Sequence, residues 1–299
     1  MTENKMEKII NLDECVINAL NLFIERGLSR LPIDEFKRPI VVGSGNAAVT
    51  GKILVGNRNA VFADEGTFLQ KLKAAKNIDG GIIVSSSGRK HAPIIARELK
   101  KKGLKIILLT NNENSPAGKM SDKEYVFPKN IEPYSYNTST YLGMILAKTR
   151  ENPKAIIKAI KSINKKIPKN LKKFDSFFFI IPSELEIMKE IFMNKFDEIF
   201  GSRISVRVFT IEQAKHAKTI IPSDKEFFVS FGCKNNLFGK GRRIEIPLPK
   251  NADYGTLMAI GYYFIGKIQE QNKPYFKENI GNYLKQYTKI FGEEVKLFS

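Results

Sequence analysis

The stretch Gly80-Gly81-Ile82-Ile83-Val84-Ser85-Ser86-Ser87-Gly88-Arg89-Lys90-His91 constrains what this chain can fold into more than any other. A short β-branched run ends in three hydroxyl residues and a glycine. A helical pattern follows at once, with Ile94, Ile95 and Leu99 on one face and Arg97, Lys100, Lys101 and Lys102 on the other. A buried strand feeding a tight turn and an amphipathic helix is half of a βαβ unit, which commits the chain to a parallel sheet. The turn falls at the carboxyl end of the strand, where open α/β sheets take their ligands. Serine hydroxyls, backbone N–H groups at the helix start and the positive end of the helix dipole then converge on one small volume and favour an anion, most simply a phosphate. A single serine there would only cap the helix. Three in a row exceed what capping requires.

The rest of the chain repeats this alternation. An opening helix is expected from about Asn11 to Gly27. A first strand at Ile40-Val41-Val42 ends in Gly43-Ser44-Gly45-Asn46-Ala47, and a helix from Ala48 to Val55 follows. Further strands are expected at Ala60–Phe62, Leu104–Leu109 and Tyr125–Phe127, and a helix at Ser139–Ala147. A basic amphipathic segment, Ile156 to Lys173, leads to a second unit. Its strands are Phe177–Ile181, Ser205–Phe209, Phe227–Phe231 and Arg243–Ile246; its helices are Glu184–Phe200 and Thr256–Gln269, with a short helical or loop piece from Glu212 to Lys218 and a mixed tail from Asn279. The expected organisation is an α/β domain with the anion-binding turn over 1–150, a basic helical linker over 151–173 and a second α/β domain with a C-terminal tail over 174–299.

Composition narrows the class. The 49 Lys and Arg against 31 Asp and Glu give a net charge of +18. Lysine is spread along the whole chain with acidic residues mixed in, and its densest cluster, Lys154 to Lys173, coincides with the expected connection between the halves, so the charge reads as a solvated surface that would also attract a small phosphorylated substrate; nucleic acid is not expected as a partner. Cys15 and Cys233 are far apart and lack metal-ligand spacing, which fits a reduced, cytoplasmic protein. Met1-Thr2-Glu3-Asn4-Lys5 holds no apolar signal core, no run reaches membrane-spanning length, and two histidines cannot build a histidine-rich metal centre.

On these residues the chain resembles the sugar isomerase (SIS) superfamily in its double-domain form. The family's Ser-x-Ser-Gly-x-Thr phosphate turn matches Ser85–Lys90 except at Lys90, and its Gly-x-Gly-x-Ser turn matches Gly43–Ala47 except at Ala47. Glu65 stands where relatives carry a Ser-Glu-Phe element, and Glu132 to Thr138 is similar to the Glu-x-x-x-x-(Ser/Asn)-Thr element. The resemblance implies two flavodoxin-like three-layer α/β/α domains with parallel sheets. It also implies a phosphorylated sugar held by Ser44, Gly45, Asn46, Ser85, Ser86, Ser87, Lys90, Asn137 and Thr138. Lys90 could replace a lost hydroxyl with a charge-assisted bond; the alternative is a degraded site. His91, one residue on, is expected to be a partly exposed structural histidine.

In the second half, Phe196-Asp197-Glu198 resembles the end of the family's glutamate-bearing helix, Glu212–His216 its histidine segment, and Asn282–Lys285 the near-terminal Asn-Leu-Ala-Lys of the synthase branch. The resemblance therefore implies an aldose–ketose isomerase. Glu198, its pKa raised on a half-buried helix, moves the proton; His216 opens the ring; Lys285 donates to the developing oxyanion. With no glutaminase stretch ahead of residue 30, an isomerase lacking an amidotransferase half is expected. Chain length points to the phosphoglucose/phosphomannose isomerase branch, whereas Tyr134 after Pro133, where that branch has arginine, leans to the synthase and deglycase branch. A homodimer is implied, and enediol chemistry needs no metal or organic cofactor. The competing expectation is a silent phosphosugar sensor, which Ala47 and Lys90 favour.

Overall fold

The computed structural model describes residues 9–217, 221–292 and 295–298. Two sheets, both wholly parallel, account for its strands. The first contains β1 (Pro39–Val42), β2 (Val61–Ala63), β3 (Gly80–Val84), β4 (Ile106–Thr110) and β5 (Lys123–Val126), in the order β2-β1-β3-β4-β5. The second contains β6 (Ser176–Ile181), β7 (Ser205–Thr210), β8 (Glu226–Phe231) and β9 (Arg243–Ile246), in the order β7-β6-β8-β9. Each order reverses direction beside the first strand of its own half, the arrangement of doubly wound flavodoxin-like sheets. Strands β1, β3 and β4 are buried at every position, as their unbroken apolar runs require in a sheet covered on both faces.

The helices are α1 (Leu12–Arg26), α2 (Asn46–Val55), α3 (Phe68–Ala74), α4 (His91–Lys101), α5 (Thr138–Thr149), α6 (Pro153–Asn164), α7 (Met188–Phe200), α8 (Ile211–His216), α9 (Tyr254–Gln271) and α10 (Tyr275–Phe291). The expected piece Glu212–Lys218 becomes α8 up to His216, and Lys218 lies outside the described residues. The expected mixed tail is instead α10, whose Phe276, Ile280, Leu284 and Tyr287 recur at helical spacing and are buried. Among the described residues no helix is long and apolar enough to cross a membrane.

The compact units do not follow the sequence in one cut. Among the described residues, 22–129 and 139–150 form one around the first sheet; 9–21, Asn130–Thr138 and those from Glu151 onward form the other. Contacts within the second unit explain why the chain start joins it. The Leu12 N–H donates to Gln269 Oε1 at 3.0 Å, and Asp13 pairs with Lys267 at 2.8 Å. Gly266 allows this approach, because a Cβ there would collide with the Asp13 backbone. Within the segment 151–173, read as a basic helical linker, α6 buries Ile156, Ile160 and Ile163, and Asn164 accepts from Tyr263 at 2.9 Å.

The second unit's core is aromatic. Phe177, Phe178 and Phe179 on β6 meet Phe196, Phe228, Phe231 and Phe264 with centroids 5.1–6.0 Å apart, mostly edge to face. The first unit uses aliphatic residues instead, with Ile83, Ile95, Leu99 and Leu108 in one cluster.

Candidate functional site

The first sheet presents two βα turns side by side, after β1 and after β3. In the first, the chain doubles back so tightly that a Cβ on Gly43 would lie 2.7 Å from the Ala47 carbonyl carbon. Gly45 then takes φ 52° and caps α2 without any side-chain hydrogen bond; Ser44 is half-buried, Asn46 buried. The second turn repeats the geometry. Lys90 caps α4 at φ 53°, again with no side-chain cap, so the two helices begin alike although one cap is glycine and the other lysine. A lysine at positive φ costs on the order of 1–3 kcal/mol that surrounding structure must offset.

That structure is visible. The Gly88 and Arg89 N–H groups donate to the hydroxyls of Ser85 (3.2 Å) and Ser87 (3.3 Å). A hydroxyl that accepts a backbone bond keeps its own proton to donate, so the serines are oriented by the loop without being used up. The end of β4 clamps the same turn: Thr110 Oγ1 and the Asn111 N–H both donate to the Ser86 carbonyl, at 2.8 and 2.9 Å, and Asn112 Nδ2 donates to that of Ser87 at 2.8 Å. Gly88 has φ 60°, and Ser115 fills the space a Cβ would need. Thr110, Asn111 and Asn112, at the end of β4, are therefore structural partners of the turn. His91 is exposed at the first position of α4.

The remaining expected residues lie in the second unit. Thr138 opens α5, its N–H donating to the buried Glu132 carboxylate at 2.7 Å, while its own hydroxyl is buried without a partner. Asn137 is half-buried at φ 46°. Glu198 sits on the last turns of α7 and lines a cavity of about 930 Å³ together with Tyr134, Asp197, Arg203, Lys273 and Tyr283. Protein crowds around its carboxylate, yet 32% of the side chain still opens to that cavity. Burial raises its pKa above 4.5, and the Lys195 charge partly opposes the rise. Ionisation of Glu198 therefore opposes folding: its contribution is favourable below the unfolded value near 4.5 and is lost as pH climbs through the higher folded value.

Lys195 was not singled out by its residue type. Its side chain is wholly buried and its ammonium pairs with Glu198. It also donates to the carbonyls of Ser135 (3.1 Å) and Tyr136 (2.9 Å), between the rings of Tyr136 and Tyr262 at 5.5 Å each. Tyr136 in turn accepts from Gln269, which holds the start of α1. One signal was available: Lys195 shares a helical face with the apolar Phe192, Phe196 and Ile199. His216 is exposed at the end of the six-residue α8, and Lys285 is exposed on α10. Neither lines the Glu198 cavity. Among the described residues no cluster of three or more His, Cys, Asp or Glu could hold a metal ion.

No protein-family model matches the chain, and no curated protein matches its sequence. Solved structures do match in fold. Glucosamine-6-phosphate deaminase of Thermotoga maritima superposes with a TM-score of 0.64 at 18% identity, covering 87% of this chain and 92% of its own. The C-terminal domain of glucosamine-fructose-6-phosphate aminotransferase from Francisella tularensis gives 0.62 at 13%, covering 88% and 96%. Tagatose-6-phosphate ketose/aldose isomerase of Escherichia coli gives 0.61 at 13%, covering 88% and 89%. At such identities the likeness speaks for fold alone, and it is the fold that the serine turn led us to expect: this chain is built like these three proteins over nearly its whole length.

Proposed function

We propose that the protein is a phosphosugar aldose–ketose isomerase, or a closely related amino-sugar phosphate isomerase or deglycase, working through an enediol or enediolamine. The observation that carries this reading is Glu198, a carboxylate of raised pKa at a cavity wall, held in place by a buried lysine. An acid of this kind takes a proton from one sugar carbon and returns it to the next. Lys195 acts as a positioning residue, fixing the carboxylate and keeping enough of it ionised to serve as a base. The turns at Ser44–Asn46 and Ser85–Lys90 hold the phosphate through hydroxyls, helix-start N–H groups and the Lys90 ammonium. We assign sugar contacts to Asn137 and Thr138, ring opening to His216 and oxyanion donation to Lys285, in a cytoplasmic homodimer of two SIS domains. Neighbours of the same fold named as a deaminase, an aminotransferase and a ketose/aldose isomerase of sugar 6-phosphates support the substrate class.

A second reading, a phosphosugar sensor without turnover, is favoured by Ala47 and Lys90, where the resembling family has hydroxyls. A coupled assay with fructose 6-phosphate and glucosamine 6-phosphate, on wild type and Glu198→Gln, separates the two. Turnover lost in the variant supports the isomerase; thermal stabilisation by the sugars without turnover in wild type supports the sensor.

A further inference from the structure

The charge of +18 is not evenly compensated. From Asn152 to Phe174 the chain carries eight lysines, Lys154, Lys158, Lys161, Lys165, Lys166, Lys169, Lys172 and Lys173, and no acidic residue. All eight are exposed, and among the described residues none makes an ion pair. The first four fall in register. At 3.6 residues per turn, positions 154, 158, 161 and 165 span about 60° of arc, opposite the buried Ile156, Ile160 and Ile163. Their backbone positions make one row about 16 Å long down that face, rising about 4.5–6 Å from one to the next, with Lys165 at the C-cap that closes α6.

We propose that this face of α6 docks nucleic acid through its phosphodiester backbone. A row of unpaired point charges at near-regular intervals complements a linear array of phosphates. Such a row without arginine forks or aromatic rings can hold a backbone but cannot read bases, so the binding is independent of sequence. A bilayer fits less well, because the apolar face of α6 is spent on the protein interior and none is left to enter lipid. Composition alone leads one to expect a solvated surface, since lysines occur everywhere; the helix adds their alignment and lack of counter-charges.

The test is fluorescence anisotropy with a labelled DNA duplex and a labelled single-stranded RNA of mixed sequence. The proteins are wild type, the row variant K154Q/K158Q/K161Q/K165Q, and a control that removes as much exposed charge elsewhere, K73Q/K76Q/K102Q/K105Q. For the duplex, wild type should show log K falling against log salt with a slope of about −3.6 or steeper. That is roughly a 150-fold loss between 50 and 200 mM salt. The row variant should lose most of the affinity and flatten that slope by about 3.6, whereas the control should weaken binding less than about threefold. Equal loss in both variants, no retention of either nucleic acid by wild type at 50 mM salt, or binding of phosphatidylserine vesicles in place of nucleic acid would overturn the proposal.

Discussion

The two sheets share a strand order but end differently, and the difference lies in what meets their carboxyl edges. In the first, α2 and α4 start without side-chain caps, beside Ser44 and the oriented serines of the β3 turn. In the second, the corresponding positions are filled by the protein itself. The turn after β6 runs Pro182-Ser183-Glu184, with Ser183 donating to Glu212 at 2.9 Å. Helix α8 is closed by a Thr210–Gln213 capping box. Between β8 and β9 no helix intervenes, and Asn235 organises the loop by accepting from Leu237 and Phe238. Even α9 begins on an internal anion, Glu151, which accepts three backbone N–H groups at 2.8–2.9 Å. The same topology thus yields an edge open to an anion and an edge already furnished with carboxylates. Strand order makes room for a site, and turn residues decide whether one exists.

Removing Lys195 should have the broadest effect, because in the second unit it holds the carboxylate that faces the cavity. Lys195→Met removes the buried ammonium that pairs with the partly exposed Glu198 and leaves the carbonyls of Ser135 and Tyr136 without that donor, and should cost about 1–3 kcal/mol in urea unfolding. Since Lys195 lowers the Glu198 pKa, its loss should also shift the acid limb of kcat/KM to higher pH.

Next come paired glycines at the two edges. Gly88→Ala forces a Cβ into Ser115 at φ 60° and should destabilise by roughly 2–4 kcal/mol and abolish sugar-phosphate binding. Gly232→Ala, at φ 68° with Leu248 Cδ1 2.8 Å from the new Cβ, should destabilise too but leave binding intact. Calorimetric titration on both variants, at a temperature where each is folded, reads the contrast.

A smaller contrast pairs the serines. Ser87→Ala removes the acceptor for Arg89 N–H and a donor to the anion, and should weaken sugar-phosphate binding about tenfold, near 1.4 kcal/mol. Ser183→Ala should leave it unchanged. The smallest effect is expected at Lys90, where glycine would relieve the positive φ. Lys90→Gly should raise stability by about 1 kcal/mol while lowering phosphate affinity, a trade expected only if the lysine serves the ligand.

Much of the fold was legible because its inner strands are buried on both faces and read as unbroken apolar runs, Ile82–Val84 and Phe177–Ile181 among them. The C-terminal helix was not, since its spaced apolar residues are diluted by Lys, Asn and Glu. The serine turn could be read from its residue order, but its clamp by Thr110, Asn111 and Asn112 depends on the pairing of β3 with β4. Lys195 stayed hidden for the same kind of reason: its burial needs the carbonyls of Ser135 and Tyr136, some sixty residues earlier in the chain. Likewise, nothing local in residues 130–138 reveals that they belong with the second sheet.

The most direct test follows solvent deuterium into the sugar. Hexose 6-phosphates and their 2-amino counterparts are incubated with enzyme in D₂O and the carbon-bound protons at C1 and C2 are followed by NMR. The account predicts deuterium at one of these carbons with wild type for at least one sugar of the panel, and none above background with Glu198→Gln. Exchange undiminished in the variant, or absent from wild type across the whole panel, would contradict it.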